Sequence, residues 1–231
     1  MIGSGKIVTD GLVFNVDAGD KNSYPGSGAT WFDLCPDSDN GAITNATFNS
    51  DGYFTFDGNG DYVEFTAGKI APKLAATFTV SGWIYNSNAT NSRGWFACST
   101  SDVSQNVGIE IHASKQRASV NFGGSYAGPQ LSTAYTDNQW YHVTLTSDNT
   151  TLRIYRNGVQ EDTETRTGPG AFTGNMRLGG HPYLSGAERF HQGGIASCQI
   201  YDRALTQPKI KITEANLKDS ALNNNDTIFK T

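Results

Sequence analysis

Residues 140–159 read WYHVTLTSDNTTLRIYRNGV, and this stretch decides the fold class. Apolar and polar residues alternate from Trp140 to Thr146, which is the period of a β-strand with one buried face. A polar turn at residues 147–150 leads into a second apolar segment, which ends at Asn157-Gly158. Asn-Gly between such segments is a strong hairpin signal, because both residues tolerate the positive φ angles of a type I′ turn. The stretch therefore predicts antiparallel strands joined by tight turns.

The same alternation recurs through most of the chain. The further segments that it predicts as strands are residues 12–16, 53–56, 62–65, 78–85, 95–98, 108–112, 118–122, 176–178 and 195–201. Roughly a dozen short strands at 8–12-residue spacing are typical of a sandwich or a jelly roll. Helical signals come only near the end, where Thr206 and Pro208 predict the start of a short helix over residues 209–218. We therefore expect an all-β fold with one short C-terminal helix.

The composition fits one folded domain and disfavours two classes of partner. The chain has 231 residues, of which 37% are hydrophobic and 17% charged, with a formal net charge of −5. An acidic chain without a basic run is unsuited to nucleic acid or to an anionic membrane. No apolar run approaches the ~18 residues of a membrane span, so we expect no membrane insertion. Residues 1–14 lack the features of a signal peptide, which predicts synthesis in the cytoplasm without standard export.

The chain divides into an arm, a domain and a tail. No linker or composition shift interrupts residues 11–218, so we predict one domain there, preceded by an N-terminal arm (residues 1–10) and followed by a polar tail (residues 219–231). Cys35, Cys98 and Cys198 are odd in number and far apart, which argues against a zinc site or a disulfide framework. We expect three buried thiols, with a single bridge from Cys198 to one of the others as the alternative.

Eight segments carry a resemblance to a known family. They are GLVFNVDAG (11–19), SYPGSG (23–28), TWFDL (30–34), FDGNGDYV (56–63), FTVSGWI (78–84), QWYHV (139–143), LRIYRNG (152–158), and GI (194–195) with IYDRALT (200–206). In this order they resemble the laminin G-like branch of the concanavalin A-like lectin/glucanase superfamily, and especially the versions in virion proteins of tailed phages from aquatic bacteria. The resemblance implies a jelly-roll sandwich of two antiparallel sheets, with the last strand beside the first and glycan-binding loops at the rim.

The candidates for catalysis are too few for an enzyme of this superfamily. A glycoside hydrolase needs two carboxylates about 5–10 Å apart across the scissile bond. The nearest segment, residues 108–113, places Glu110 and His112 on one face and so offers a single carboxylate. We therefore predict a protein that is not an enzyme.

One turn has the oxygen pattern of a calcium loop. Asp57, Asn59 and Asp61 stand at alternate positions, but the later Glu of an EF-hand is missing. The same residues suit a hairpin turn in which Asp57 and Asn59 bind nearby backbone N–H groups. We expect the turn, and calcium is the alternative ligand; no cofactor is required.

Aromatic residues in Gly-rich stretches are the candidates for binding a sugar, because a sugar ring stacks its C–H face on an aromatic ring. The predicted ligand-binding residues are Tyr126, His181 and Tyr183, with Trp95, Phe190 and His191 as further candidates. Trp31, Trp83 and Trp140 lie in strand patterns and are expected in the core. If the loops 57–61, 123–129 and 181–186 converge at one rim, their chemistry suits a neutral or amino sugar.

From this resemblance we expect a non-enzymatic phage virion structural protein, a component of capsid decoration, fibre or tail. We expect it at the virion surface, with other virion proteins and host surface glycans as partners and with weak glycan binding. Exposed sheet edges predict a homo-oligomer, a trimer first. The alternatives are a bacterial cell-surface carbohydrate-binding module and a glucanase-like hydrolase.

Overall fold

The computed structural model describes residues 7–36, 39–66, 69–88, 93–100, 106–112, 115–122, 125–165, 173–182 and 190–222. Within these ranges the strands are β1 Leu12–Asp17, β2 Thr30–Trp31, β3 Gly41–Thr44, β4 Thr47–Asn49, β5 Tyr53–Asp57, β6 Tyr62–Phe65, β7 Thr77–Asn86, β8 Arg93–Ser99, β9 Asn106–His112, β10 Lys115–Phe122, β11 Ser125–Ala127, β12 Gln139–Asp148, β13 Thr151–Arg156, β14 Val159–Thr165, β15 Asn175–Leu178 and β16 Gln192–Tyr201. A 3₁₀ turn spans Ala71–Leu74, and the helix α1 spans Gln207–Leu222.

The strands form two antiparallel sheets, as predicted. Sheet A has the order β14-β13-β12-β7-β16-β5-β4, with β1 also paired to β16, and sheet B has the order β11-β10-β9-β8-β15-β6-β3-β2. One apolar core lies between them and takes side chains from both, among them Val80 and Val143 of sheet A and Phe96 and Ile109 of sheet B. The all-β jelly-roll sandwich with a C-terminal helix is therefore confirmed.

The hairpins predicted from residues 140–159 form one side of sheet A. β12 pairs with β13, and β13 pairs with β14 through the two-residue turn Asn157-Gly158. Asn157 and Gly158 have φ angles of 48° and 70°, which is the left-handed backbone that this turn requires. The Asn157 side chain also accepts a hydrogen bond from the His142 N–H at 2.9 Å, so the turn is tied back to β12.

The last strand lies at the centre of sheet A. β16 pairs with β7 along one side and with β5 and then β1 along the other. The pairing of the first and last strands, which the resemblance implies, is confirmed by the register Phe14↔Ile200. At Gly193 the chain comes so close to β7 that a Cβ atom would lie 1.9 Å from the Tyr85 carbonyl oxygen, and φ there is +149°. Only glycine fits this position.

Two aromatic candidates for sugar binding are buried instead. Trp95 is fully buried in β8 and belongs to the central core, so its prediction as a ligand-binding residue is wrong. The strand has a bulge between Gly94 and Phe96, and such an extra residue lets Trp95 and Phe96 both reach the core. Gly82 provides the space for the Trp95 ring, because a Cβ atom on residue 82 would lie 2.7 Å from that ring. His191 is also fully buried, with Nε2 3.1 Å from the Tyr85 carbonyl.

The Asp57–Asp61 turn connects the two sheets. β5 pairs with β16 and β4 in sheet A, whereas β6 pairs with β15 and β3 in sheet B. The expected hairpin between these strands is therefore wrong, because each strand finds its partners elsewhere in the chain. The turn crosses the end of the sandwich.

The helix α1 packs on the outside of sheet A through Ile210, beside Tyr155, Tyr201 and Leu205. It ends at Leu222, four residues into the predicted tail, and the rest of the tail lies outside the described residues. In the described part of the chain no helix has the length and apolar character to cross a membrane. Cys35, Cys98 and Cys198 are all buried free thiols.

Candidate functional site

The outer face of sheet A carries an unusual set of residues. In β7 the core-facing Phe78, Val80 and Ile84 alternate with Thr79, Ser81, Trp83 and Tyr85, which point away from the core. On the neighbouring β12, Trp140 lies opposite Tyr85 and His142 opposite Trp83. The face that points away from the core is therefore aromatic at one end and polar in the middle.

Three aromatic side chains surround a glycine at the aromatic end. We call Tyr53, Tyr85, Trp140 and the glycine between them, Gly194, the aromatic cradle. The Trp140 ring centroid lies 5.1 Å from that of Tyr53 and 5.6 Å from that of Tyr85. A Cβ atom on Gly194 would lie 3.0 Å from the Tyr53 ring and 3.2 Å from the Trp140 ring, so the absence of a side chain lets these rings pack together over the glycine. The three rings are half-buried, which leaves part of each on the surface.

Amide groups hold both tyrosine hydroxyls of the cradle. The Asn49 side chain donates to Tyr53 Oη at 2.8 Å, and Tyr85 Oη donates to the Asn138 side-chain oxygen at 3.1 Å. Asn49 is itself fixed by the Asp51 N–H at 2.9 Å. Burial, and then the Asp51 carboxylate, raises the pKa of Tyr53, so its hydroxyl stays protonated and can donate a hydrogen bond. The cradle thus presents aromatic faces with fixed hydroxyl and amide groups at its rim.

The sequence interpretation missed this site because it placed Trp83 and Trp140 in the core. Trp31 is fully buried there, as expected. Trp83 is 4% exposed but packs with Ala196 and Ile7 in a separate cluster on the outer face, and Trp140 is half-buried beside it. The signal was present in the alternation, because Trp83 stands out of phase with Val80 and Ile84, and Trp140 out of phase with Tyr141 and Val143.

A buried polar layer lies next to the cradle on the same face. Ser81 Oγ is 2.8 Å from His142 Nε2 and 3.0 Å from Thr144 Oγ1, and all three side chains are fully inaccessible. Burial lowers the pKa of His142 to about 3, so the imidazole is neutral at physiological pH. Among the described residues His142 Nδ1 has no hydrogen-bond partner, so no carboxylate in that part of the chain orients this ring as in a catalytic triad. The layer links β7 to β12 through side chains. In the described part of the chain it lacks the carboxylate that would complete a nucleophilic triad.

The side chains of the Asp57–Asp61 turn are engaged with its own backbone. Asp61 Oδ2 accepts a hydrogen bond from the Asp57 N–H at 2.8 Å, and Asp57 Oδ1 accepts one from the Asn59 N–H at 2.6 Å. Burial raises the pKa of Asp61. Among the described residues no group of three His, Cys, Asp or Glu side chains is placed to hold a metal ion. Calcium at Asp57, Asn59 and Asp61 stays a prediction.

The turn lies beside another predicted site residue, His181. A Cβ atom on Gly179 would lie 3.2 Å from the Asp61 carbonyl oxygen, so the segments 57–61 and 179–181 are in contact. The His181 carbonyl accepts a hydrogen bond from Arg177 Nη1 at 3.2 Å. The Arg177 guanidinium also pairs with Glu64 at 2.6 Å and stacks on the Tyr62 ring at 3.8 Å. The segment that leads into the predicted loop 181–186 therefore lies beside the 57–61 turn, while residues 183–186 lie outside the described residues.

Another predicted ligand residue, Tyr126, is not part of this cluster. Tyr126 lies on β11, the edge strand of sheet B, four strands away from β15. At the usual strand spacing this is about 19 Å along the sheet. Tyr183 lies outside the described residues.

Two carboxylates share the outer face of sheet B with wide separation. Glu64 on β6 and Glu110 on β9 both point away from the core, and β15 and β8 lie between their strands. Three strand spacings amount to about 14 Å, which exceeds the ~5–10 Å that glycoside hydrolysis requires. The side chain of His112 is outside the described residues.

Comparison with known proteins identifies the family. A laminin G family model, described as concanavalin A-like lectin/glucanases superfamily, matches residues 57–211. The chain belongs to this superfamily. The resemblance to the laminin G-like branch of this superfamily is thus confirmed, and the chain has a lectin-like fold. No curated protein sequence matches the chain.

Solved structures of this superfamily fold are similar to the chain in architecture. The binding domain of botulinum neurotoxin serotype D/C superposes with a TM-score of 0.67 at 16% identity, covering 90% of this chain and 52% of that one. Trypanosoma rangeli sialidase in complex with sialic acid gives 0.66 at 15% identity, covering 97% of this chain and 35% of that one. The chain spans about half of the neurotoxin domain and a third of the sialidase.

A third structure matches over nearly its whole length. Domain 4 of AbnA, a GH43 extracellular arabinanase from Geobacillus stearothermophilus in complex with arabinotriose, has a TM-score of 0.70 at 16% identity. The match covers 88% of this chain and 98% of that domain. At these identities the similarity concerns the fold.

Proposed function

We propose that the chain is a non-enzymatic glycan-binding module and that the aromatic cradle of Tyr53, Tyr85, Trp140 and Gly194 is its binding surface. The three half-buried aromatic rings that pack together over Gly194, on the outer face of sheet A, are the observation that carries the proposal. A sugar residue buries its C–H face against such rings, while its hydroxyl groups need fixed polar partners. Asn49, Asn138 and the two tyrosine hydroxyls are those partners.

The similarity to an arabinanase domain solved with arabinotriose supports a saccharide ligand, since that domain matches as an independent unit of the same size. Non-enzymatic action is supported by the spacing of Glu64 and Glu110 and by the Arg177 ion pair that engages Glu64. We expect a partly exposed aromatic surface of this kind to bind one sugar weakly, near millimolar or about −4 kcal/mol. Useful adhesion then requires many copies.

A virus particle displays its surface proteins in many copies. We propose that the module is displayed on the surface of a phage virion, as a capsid decoration, fibre or tail component, and that it binds host surface glycans. This role rests on the similarity of the eight quoted segments to virion proteins of tailed phages. Its partners are other virion proteins and further copies of the same chain, and the proposed pairing surfaces are β14 and β11, which lie at sheet edges among the described strands.

A glycan array with the assembled protein tests the binding surface. Trp140→Ala removes the ring that contacts both tyrosines, and we expect at least about tenfold weaker binding, which corresponds to ~1.4 kcal/mol. Tyr126→Ala, on the far edge of sheet B, is the matched control and should bind like the parent. The reverse result would move the site to the residues predicted from the sequence.

Two further measurements test the remaining parts of the proposal. Incubation with the bound polysaccharides should release no new reducing ends, and release would establish a hydrolase. Antibodies against the chain should label intact phage particles. Particles that contain no copy of the chain would overturn the virion role and leave the bacterial surface module.

A further inference from the structure

A second concave surface lies close to the aromatic cradle. It is a cleft of about 190 Å³ beside β4, the edge strand of sheet A, between the segments 18–26 and 48–52. Lys21, Tyr24, Phe48 and Ser50 are among the residues that line it. We call it the Lys21 cleft. It is smaller than the ~300–1,000 Å³ pocket of a drug-sized ligand, and so has room for a single sugar residue and not for a whole oligosaccharide.

The apolar wall of the Lys21 cleft is built into the core. The Tyr24 ring packs against Phe48 at 4.7 Å and against Phe54 at 4.8 Å, and Tyr24 Oη donates to the Gly28 carbonyl at 3.0 Å. Tyr24 is buried, whereas Phe48 is half-buried and leaves part of its ring at the surface. The wall therefore exists before a ligand binds, which lowers the cost of binding.

The polar wall is equally ordered. Asp17 Oδ1 accepts the Gly19 N–H at 2.9 Å, and Asp20 Oδ1 accepts the Asn22 N–H at 2.8 Å, so side-chain turns fix the backbone on both sides of Lys21. The carboxylates nearest in sequence are thus turned to backbone groups. In the described part of the chain no carboxylate forms an ion pair with the Lys21 ammonium.

The cleft combines an exposed ammonium group that has no ion pair among the described residues with an aromatic ring and a serine residue. This combination suits a sugar that carries a carboxylate. A carboxylate on the ring would pair with Lys21, the C–H face would contact Phe48, and a hydroxyl group would bind Ser50. Charge-assisted hydrogen bonds of this type are stronger than those between neutral groups. A neutral sugar would leave the Lys21 charge unused.

The turn at residues 49–52 separates the cleft from the cradle and belongs to both. Asn49 donates to Tyr53 Oη on the cradle side, while Ser50 and Gly52 line the cleft. In β4 the neighbours Phe48 and Asn49 point to opposite faces of the sheet, Phe48 to the core edge and Asn49 to the cradle. A linear saccharide that occupied both sites would have to pass around this turn, from the outer face of sheet A to its edge.

We propose that the Lys21 cleft is a second subsite for the same glycan and that it selects a residue bearing a carboxylate, so that the ligand is an acidic oligosaccharide. This inference rests on the proposed glycan-binding function of the cradle. It differs from the neutral or amino sugar expected from the sequence, because that expectation concerned loops without a basic residue. The cleft adds one cation next to a stacking surface.

The test uses pairs of oligosaccharides of equal length that differ only at C6, where one member has a hydroxymethyl group and the other a carboxylate. Galacto-, gluco- and manno-configured pairs cover the common backbones. Titration calorimetry at low salt should show about five- to tenfold tighter binding of an acidic member. Lys21→Gln should abolish this preference, and Lys21→Arg should retain most of it.

The control and the overturning results separate the two proposals. Lys211→Gln removes an exposed lysine on α1 and should leave the preference intact. If Lys21→Gln binds acidic and neutral members as the parent does, while Trp140→Ala weakens both, the second subsite is wrong and the cradle stands. If Lys21→Gln weakens acidic binding and Trp140→Ala does not, the cradle is wrong. Absence of binding to every pair overturns both.

Discussion

The rings of Tyr53 and Trp140 meet at 5.1 Å although two strands, β7 and β16, lie between the strands that carry them. Their backbones are about 14 Å apart by strand spacing. The rings close this distance because Gly194 of β16 has no side chain to stand between them. The contact therefore depends on a residue that contributes no atoms to it.

The first prediction concerns that glycine. Gly194→Ala places a methyl group 3.0 Å from the Tyr53 ring and 3.2 Å from the Trp140 ring, and so pushes the rings apart. We expect about tenfold weaker glycan binding with a loss of stability of about 1–2 kcal/mol, as for other overpacked sites. Gly94→Ala on sheet B is the matched control, since its Cβ would meet nothing closer than 3.9 Å. Unchanged binding by the Gly194 variant would exclude the cradle as the binding surface.

The neighbouring glycine should behave differently. Gly193→Ala would bring a Cβ to 1.9 Å from the Tyr85 carbonyl oxygen at a φ of +149°. The central pairing of β16 with β7 would have to open, so we expect a loss of more than about 3 kcal/mol in the free energy of unfolding. Urea denaturation of the two variants, read by tryptophan fluorescence, measures the difference. Equal stabilities for both variants would contradict the close approach of these strands.

The buried His142 predicts a pH dependence of stability. Its pKa is lowered to about 3 from 6.5, so the folded protein holds the imidazole neutral where the unfolded chain takes up a proton. The stability that this residue contributes is thus complete above the unfolded pKa and is lost as the pH falls from 6.5 towards 3. Between about pH 8 and pH 5 the loss is about 2 kcal/mol.

Comparison with His142→Gln isolates this contribution, because an amide keeps a polar partner for Ser81 and does not titrate. Urea unfolding at a series of pH values should give a shallower decline for the variant over this window. Parallel curves for the parent and the variant would show that His142 is not held neutral in the folded protein.

The last prediction distinguishes a turn from a metal site at residues 57–61. Asp61→Ala removes the acceptor of the Asp57 N–H, and we expect a loss of about 1–2 kcal/mol whether calcium or a chelator is present. Thermal unfolding in both solutions provides the measurement. A rise of the melting temperature with calcium that disappears in the variant would establish calcium binding instead.

Local signals in the sequence were sufficient for local structure. Asn157-Gly158 specifies its hairpin because the positive φ angles are a property of the two residues themselves. The turn at Asp57–Asp61 has equally strong local signals, yet it joins two sheets, since the partners of β5 and β6 are set by residues far along the chain. Sequence alternation cannot state which strands become neighbours.

The same limit applies to the candidate site. Tyr53, Tyr85 and Trp140 are distant in sequence, and they converge only through the strand order of sheet A. Trp95 was misassigned because a bulge turned it inward, and a bulge leaves no reliable mark in the alternation. Alternation did place Tyr85 and Trp140 out of phase with the core residues, so these two members of the cradle were open to prediction.

The position of β16 has a consequence for the synthesis of the protein. Residues 192–201 form the central strand of sheet A. Until the ribosome has synthesised them, β1 and β5 have no β16 to pair with, and β7 lacks one of its two neighbours. A nascent chain that ends before this strand exposes open edges, which are prone to pair with other chains. Sheet A can therefore be completed only after residues 192–201 have been synthesised, and we expect premature termination upstream of Gln192 to yield an aggregation-prone fragment.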